Sequence, residues 1–388
     1  MKQTASIIST YAADVSGVCS ALYELGGMTV MHDPSGCNST YNTHDEPRWY
    51  DFDSLIFISA LTEMEAIMGD DQRLIDEVVE TATQLHPKFI AIAGSPVPMV
   101  IGTDFKAIAR VIEKKTGIPC FGFTTNGMHS YQHGAGMALA ALAERLTNPD
   151  AKAEGKHRVN ILGATPLDFS VNGSVESIKK WLVDAGFEVN SCWAMGSSLD
   201  ELTTAGCADV NLVVSEIGRK TAEVLFNRFG TPYVFAVPIG SDTNILKEKL
   251  LEAEKTGTID ISVNRAGKGC SGKVILITES VYGASLASAL ETKLGHQVQL
   301  ICPLEGKKEL LASYDRFAKD EAELISLLSK AEVVIADPLY RPICPEACRF
   351  IPLGHEAFSG RIYREEIPNL IGNGFDHWFS RYFKEDVK

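Results

Sequence analysis

The sequence predicts an α/β protein made of three Rossmann-like, doubly wound parallel-sheet domains. Three observations carry this. Short, continuous apolar runs recur along the chain, as parallel strands covered on both faces require. Helix-length amphipathic segments separate them, which implies right-handed strand–helix–strand units. Two polar breaks, at residues 148–156 and 257–272, each restart the pattern.

Taken in order, Met28-Thr29-Val30-Met31 reads as a short buried strand. Further strands are expected at residues 54–59, 89–93, 158–162, 210–214, 233–237, 273–277 and 332–336. Cys120 reads as a strand residue in the core. Helical spacing marks residues 71–85, 105–116, 175–185 and 283–294. The breaks divide the chain into units at 1–150, 151–267 and 268–388, the last with a C-terminal helical segment. Gly163-Ala164-Thr165-Pro166 and Thr278-Glu279-Ser280 each follow a strand and lead towards a helix, so the units are loosely repetitive.

Composition limits what the protein does. The 388 residues are 45% hydrophobic and 22% charged, as expected of a globular protein with two or three cores. A net charge of −14 without a basic stripe argues against nucleic acid as a partner. No apolar run approaches the roughly 20 residues that span a bilayer, and Met1 to Ser6 lack a signal-peptide apolar stretch. The expected compartment is the cytoplasm, where the nine cysteines stay reduced.

The most informative segment is His32-Asp33-Pro34-Ser35-Gly36-Cys37 at the end of the first strand. A Pro-x-Gly-Cys turn there puts one thiol on a sharp bend, where Gly36 allows close approach of a backbone or a cluster. Metalloclusters need a soft thiolate presented in this way. An ordinary turn with a free thiol fits the same residues equally well. Just beyond, His44-Asp45-Glu46-Pro47-Arg48 groups titratable side chains that could line a pocket, supply protons or form a charged surface loop. Residues 94–104 follow a strand and open a helix that Thr103 or Asp104 could cap, at a place where open α/β sheets bind ligands. Gly267 to Lys273 nearly matches a phosphate-binding loop, but the strand follows the lysine instead of preceding it, so no ATP is expected on this chain. Cys344 and Cys348 could clasp a metal from one helical turn, although two half-buried thiols in a loop are the simpler reading.

Together these motifs resemble the nitrogenase component 1 superfamily, which comprises dinitrogenase subunits, cofactor scaffold proteins and the dark-operative chlorophyll and coenzyme F430 biosynthetic reductases. The turn ending at Cys37 looks like the family's His-Gly-Pro-x-Gly-Cys cluster turn. Residues 63–70 look like its Glu-x-x-x-x-x-Gly-Gly segment, with Asp70 replacing the second glycine. Residues 95–104 resemble the loop that starts at a cysteine and runs to Ile-Gly-Asp-Asp, and 123–136 resemble the stretch that follows. The departures matter as much. Of three cluster cysteines only Cys37 is retained; Tyr11 falls near the first position and Ser95 stands at the third. Ser215 occupies the place of the cofactor-binding cysteine, and His355 lies near that of the cofactor-binding histidine.

The resemblance implies a single [4Fe–4S] cluster at a subunit interface, with Cys37 as ligand and Cys19, Asp33 or a partner's thiols completing the set. It implies no molybdenum–iron cofactor of the nitrogenase type, since a serine hydroxyl is a poor ligand for one. Gly36, Ser95 and Ser215 are the implied cofactor-contacting residues. His44, Asp45 and His355 are the implied catalytic or proton-donating ones. The implied partners are a second component 1-like subunit, identical or paralogous, an ATP-dependent iron protein that delivers electrons, and a small-molecule substrate between the domains. A non-catalytic assembly scaffold and a cluster-less structural relative are the alternatives.

Overall fold

The computed structural model describes residues 5–34, 36, 46–151, 155–265, 267–269, 273–318 and 320–383. Cys37, His44 and Asp45 lie outside the described residues. Three all-parallel sheets follow one another along the chain.

The first sheet holds β1 (Met28–His32), β2 (Leu55–Ile58), β3 (Ile90–Gly94) and β4 (Cys120–Phe123) in the order β2-β1-β3-β4. The second holds β5 (Arg158–Leu162), β6 (Glu188–Cys192), β7 (Val210–Val213) and β8 (Tyr233–Phe235) in the order β6-β5-β7-β8. The third holds β9 (Val274–Ile277), β10 (Val298–Cys302), β11 (Arg316–Phe317), β12 (Val333–Ala336) and β13 (Arg349–Pro352) in the order β11-β10-β9-β12-β13. The doubly wound α/β class is as the sequence predicts. The apolar runs found β1, β2, β3, β5, β7, β8, β9 and β12, and Cys120 opens β4 as expected. β6, β10, β11 and β13 are not among the expected strands: Glu188-Val189-Asn190-Ser191-Cys192 is half polar and β11 is two residues long, whereas β10, apolar but for Gln299 and buried throughout, carries the signal and is passed over by the sequence reading.

In each sheet the strand order reverses at one point, between β1 and β3, β5 and β7, and β9 and β12. Loops leaving the strands there diverge to opposite faces and open a crevice at the carboxyl ends.

The first sheet is covered on one face by α3 (Gln72–Leu85) and α5 (Phe105–Thr116), whose Leu74, Val78, Ile108 and Ile112 pack on Met28, Val30, Ile90 and Ile92. Period-2 alternation sends Met31, Ala91, Ala93, Phe121 and Phe123 to the other face, into a core continuous with both remaining sheets. Asp104 rather than Thr103 caps α5, accepting from the Ala107 N–H at 3.0 Å. On the inner face α1 (Asp14–Leu22) and α6 (Tyr131–Leu146) lie backbone to backbone. A Cβ on Gly17 would stand 2.0 Å from the Tyr131 carbonyl oxygen, and one on Gly134 1.9 Å from that of Asp14. Only two glycines permit this contact, and it places Tyr131 at the seam between sheets.

Candidate functional site

Each switch point carries buried polar side chains. At the first, Asp33 ends β1 and Ser95 ends β3, and the Ser95 N–H donates to the His32 carbonyl at 3.3 Å. Asp33 is fully buried and Ser95 2% exposed. Yet neither Asp33 carboxylate oxygen, nor Ser95 Oγ, has a hydrogen-bond partner among the described residues. A buried carboxylate without partners is costly, so such atoms mark a place that receives something. Ser95 begins α4 (Pro96–Ile101) in the N-cap position without using its hydroxyl to cap it. His32 is fixed by Nδ1 against Ser59 Oγ at 2.8 Å, and burial lowers its pKa to about 4, so it is neutral. The turn to Cys37 leaves from this point.

The second and third switch points meet. Asp168 lies in α7 (Pro166–Phe169) just past β5, its side chain 1% exposed. Tyr131 Oη donates to Asp168 Oδ1, and His355 Nε2 stands 3.6 Å from that same oxygen. Asp168 Oδ2 and both His355 ring nitrogens have no hydrogen-bond partner among the described residues. Glu279, past β9, caps α12 (Ser280–Leu294) through the Tyr282 N–H at 2.8 Å. Asp337, past β12, accepts the His355 N–H at 2.8 Å and the Ser359 hydroxyl at 2.5 Å. A narrow cavity with an accessible volume near 20 Å³ is lined by Asp168, Glu279, Tyr282 and His355, room for about one water. Tyr11 closes the cluster, edge-on to His355 at 5.4 Å and stacked on Phe358 at 4.6 Å, with the Tyr340 hydroxyl donating to its oxygen at 3.2 Å.

Electrostatics follow from burial. Desolvation raises the Asp168 pKa well above the carboxylate range, and the Glu279 charge adds to it. Glu279 is itself raised by burial, against the backbone N–H groups that hold its charge. Burial lowers His355 to about 4, so its imidazole is neutral at physiological pH. The arrangement stores a proton on a carboxyl group beside a neutral imidazole and a phenol, a set suited to proton delivery.

Of the residues singled out in the sequence, the structure brings Asp33 and Ser95 together, while Gly36 is exposed and a Cβ on it would meet nothing within 4 Å. The structure puts His355 in the second cluster. Ser215 lies two residues past β7, its hydroxyl donating to the Gly163 carbonyl at 2.9 Å and standing close enough to Asp168 to favour that residue's charge. Cys19 is fully buried in α1, inside the shared core, where burial pushes its thiol up. Cys344 and Cys348 share no helical turn: a 3₁₀ segment, Pro338–Ile343, ends before Cys344, and the Cys348 N–H turns back to the Pro345 carbonyl at 3.1 Å. Sequence reading passed over Asp168, Tyr131 and Glu279, although the strand-following segments 163–166 and 278–280 pointed at their neighbourhood.

The family model for nitrogenase component 1 type oxidoreductases matches residues 17–337. The chain belongs to that family. Within it, the chain is 24% identical over 365 residues to the nitrogenase iron-molybdenum cofactor biosynthesis protein NifE of Clostridium pasteurianum, an alignment that covers 86% of this chain and 75% of that protein. It is 22% identical over 381 residues to a light-independent protochlorophyllide reductase polypeptide of Nostoc punctiforme, covering 82% and 74%. The match to the nitrogenase molybdenum-iron protein alpha chain of Clostridium pasteurianum, 24% over 225 residues, spans only 41% of that chain. In fold, the protein superposes on nitrogenase Cp1 solved at pH 5 with a TM-score of 0.69 at 14% identity, over 98% of this chain and 90% of that one. That nitrogenase structure shares the fold described above. No helix among the described residues is long and apolar enough to cross a membrane.

Proposed function

We propose that this chain is a subunit of a nitrogenase-like reductase. It takes electrons from an ATP-dependent iron–sulfur partner through a [4Fe–4S] cluster held where it meets a second component 1-like subunit, and passes them to a small molecule bound between its domains. The observation that supports this reading is the pair of buried side chains, Asp33 and Ser95, that have no hydrogen-bond partner among the described residues and lie at the first switch point, four residues before Cys37 in the case of Asp33. Cys37 would be the thiolate ligand, and Asp33 an oxygen ligand or a hydrogen-bond acceptor at the cluster's edge. One cysteine per chain leaves a four-ligand cubane incomplete, so equivalent groups of a second subunit complete it. Cys19, locked in the core, could contribute only if α1 moved. When bound, such a cluster supplies one-electron transfer.

Past Leu61 and Ser95, which bond to Asp33 and His32, lies a surface fit for that second subunit. α2 (Glu63–Met68) and α4 leave Met64, Ile67, Met68, Met99 and Val100 exposed, Val100 by 77%. Contiguous exposed apolar side chains at the mouth of a site mark a protein interface. Protons would come from the second cluster, with Asp168 as the protonated acid and His355 as the neutral base that passes the proton on. His44 and Asp45 would extend that supply on the substrate side. The hydroxyl of Ser215, tied to Gly163, offers nothing to a nitrogenase-type cofactor.

Anaerobic reconstitution with iron and sulfide, followed by iron analysis and electron paramagnetic resonance, tests the reading. Wild type is expected to bind iron and show a cluster signal that Cys37→Ala loses. A Cys37→Ala protein with full iron and an unchanged signal would overturn it. The alignment with NifE over 86% of the chain favours one second reading, a scaffold that holds a cluster during assembly. That reading predicts transfer of bound iron to an acceptor protein, and no turnover with reductant, ATP and the iron protein.

A further inference from the structure

β4 is an edge strand, and the groove beside it is unlike the rest of this acidic molecule. Ile90 donates its N–H to the Pro119 carbonyl, and the register pairs Ile90 with Cys120 and Ile92 with Gly122. In a parallel ladder this turns the backbone groups of Phe121 and Phe123 towards β3 and those of Cys120, Gly122 and Thr124 outward. Cys120 is already satisfied: its N–H donates to Glu113 Oε2 at 3.0 Å, and its carbonyl accepts from Arg145 at 2.9 Å. Gly122 and Thr124 have no partner for their outward groups among the described residues.

The groove they face runs between α5 and α6 and has an accessible volume near 860 Å³. Its floor is apolar, formed by Ala109, Met137, Ala140 and Ala141. Lys106, Arg110 and Lys114 stand at i, i+4 and i+8 along one face of α5, and Lys220 borders the groove from α10 (Gly218–Phe229). All four are exposed and make no ion pair among the described residues; the only unpaired carboxylate on the lining is Glu144. One edge lysine would suffice to keep stray strands away. Four unpaired cations over an apolar floor, on a chain of net charge −14, make a local potential opposite to that of the whole protein.

We propose that this groove binds an extended acidic segment of a partner protein, which adds to the first sheet as a strand beside β4. Main-chain hydrogen bonds to Gly122 and Thr124 would set its register. Side chains of the added strand alternate between the faces of the sheet, so the apolar ones would meet Met137, Ala140 and Ala141 on α6, and the acidic ones would pair with Lys106, Arg110 and Lys114 on α5. The inference is independent of any cluster at Cys37, because β4 and its groove use none of those residues.

The test uses the full chain and a short synthetic peptide alternating Glu with Val, with a Lys–Val peptide as control. Fluorescence anisotropy is expected to show binding of the acidic peptide alone, weakened at least about tenfold when salt rises from about 0.05 to about 0.5 M. Lys106→Glu/Arg110→Glu/Lys114→Glu, all exposed positions, should abolish binding while leaving the circular dichroism spectrum unchanged. Hydrogen exchange should slow at the Gly122 and Thr124 amides on binding, and N-methylation of alternate peptide residues should remove both effects. Binding that survives charge reversal, or protection elsewhere on the surface, overturns the proposal. So does a concentration-dependent dimer broken by the same substitutions without peptide binding, which would make a second copy the occupant.

Discussion

Tyr131 Oη donates a hydrogen bond to Asp168 Oδ1, joining the first turn of α6 to the loop past β5, so the first and second sheets meet at a phenol and a carboxyl group. The bond exists because Gly17 and Gly134 let α1 and α6 touch, which sets where Tyr131 starts its helix.

Asp168→Asn should change how stability depends on pH. The folded protein holds this carboxyl group's proton far above its unfolded pKa, so the group's favourable contribution is full below about pH 4 and is lost as pH rises towards its native value. Urea unfolding from pH 5 to 8 should therefore show the variant gaining stability relative to wild type as pH rises. Parallel pH profiles would show that Asp168 is ionised in the native state.

Gly134→Ala should cost about 1–3 kcal/mol or more, because the added methyl must push α1 away from α6. Thermal unfolding measures it. A neutral substitution would mean the helices are farther apart than the 1.9 Å approach implies.

Arg48 ties its own turn to α1 and to the segment past β6. Its guanidinium reaches Glu46 at 2.6 Å, Glu24 at 2.8 Å, the Ser20 carbonyl at 2.8 Å and the Ala194 carbonyl at 3.2 Å. Burial opposes its charge, but the two carboxylates outweigh it and keep it protonated. Arg48→Met strands buried carboxylates and should cost about 3–5 kcal/mol. Adding Glu46→Gln should recover part of the loss in chemical denaturation.

Glu321 ties down the N-terminal segment, accepting the Ile7 and Ile8 N–H groups at 2.9 Å each and the Ser6 hydroxyl at 2.7 Å. These bonds, led by the one from Ile8, hold its pKa down to about 2. Its contribution is present above the ordinary glutamate range and lost as pH falls towards 2. Glu321→Gln should lower the melting temperature at pH 7 and expose residues 5–8 to proteolysis, with the difference from wild type shrinking below pH 4.

Asn160 sits in the middle of the second sheet, donating to Ala205 and Asn211 and accepting from Asn190 and Ser191. Asn160→Leu leaves several of these groups buried and unpaired, each worth about 1–3 kcal/mol, and should prevent stable folding. A soluble, cooperatively melting variant would show that the network is dispensable.

The sequence by itself determined the layered architecture, because a fully buried parallel strand must be an apolar run and its covering helix must be amphipathic. It also marked Asp33, Ser95 and His355, through the family motifs in or near which they stand. It could not reveal β6, which is half polar, or β13, a four-residue strand that opens on Arg349 and closes on Pro352; both become strands only through the neighbours they pair with. It could not rank the cysteines either. Cys19 looks as available as any thiol in one dimension, and only the packing of α1 against α6 and the sheets encloses it in hydrocarbon. Tyr131, Asp168, Glu279 and His355 are scattered over more than 200 residues, and what unites them is the meeting of strand ends from different sheets. Burial there shifts their protonation, and burial is a property of the tertiary structure that no local pattern of residues encodes.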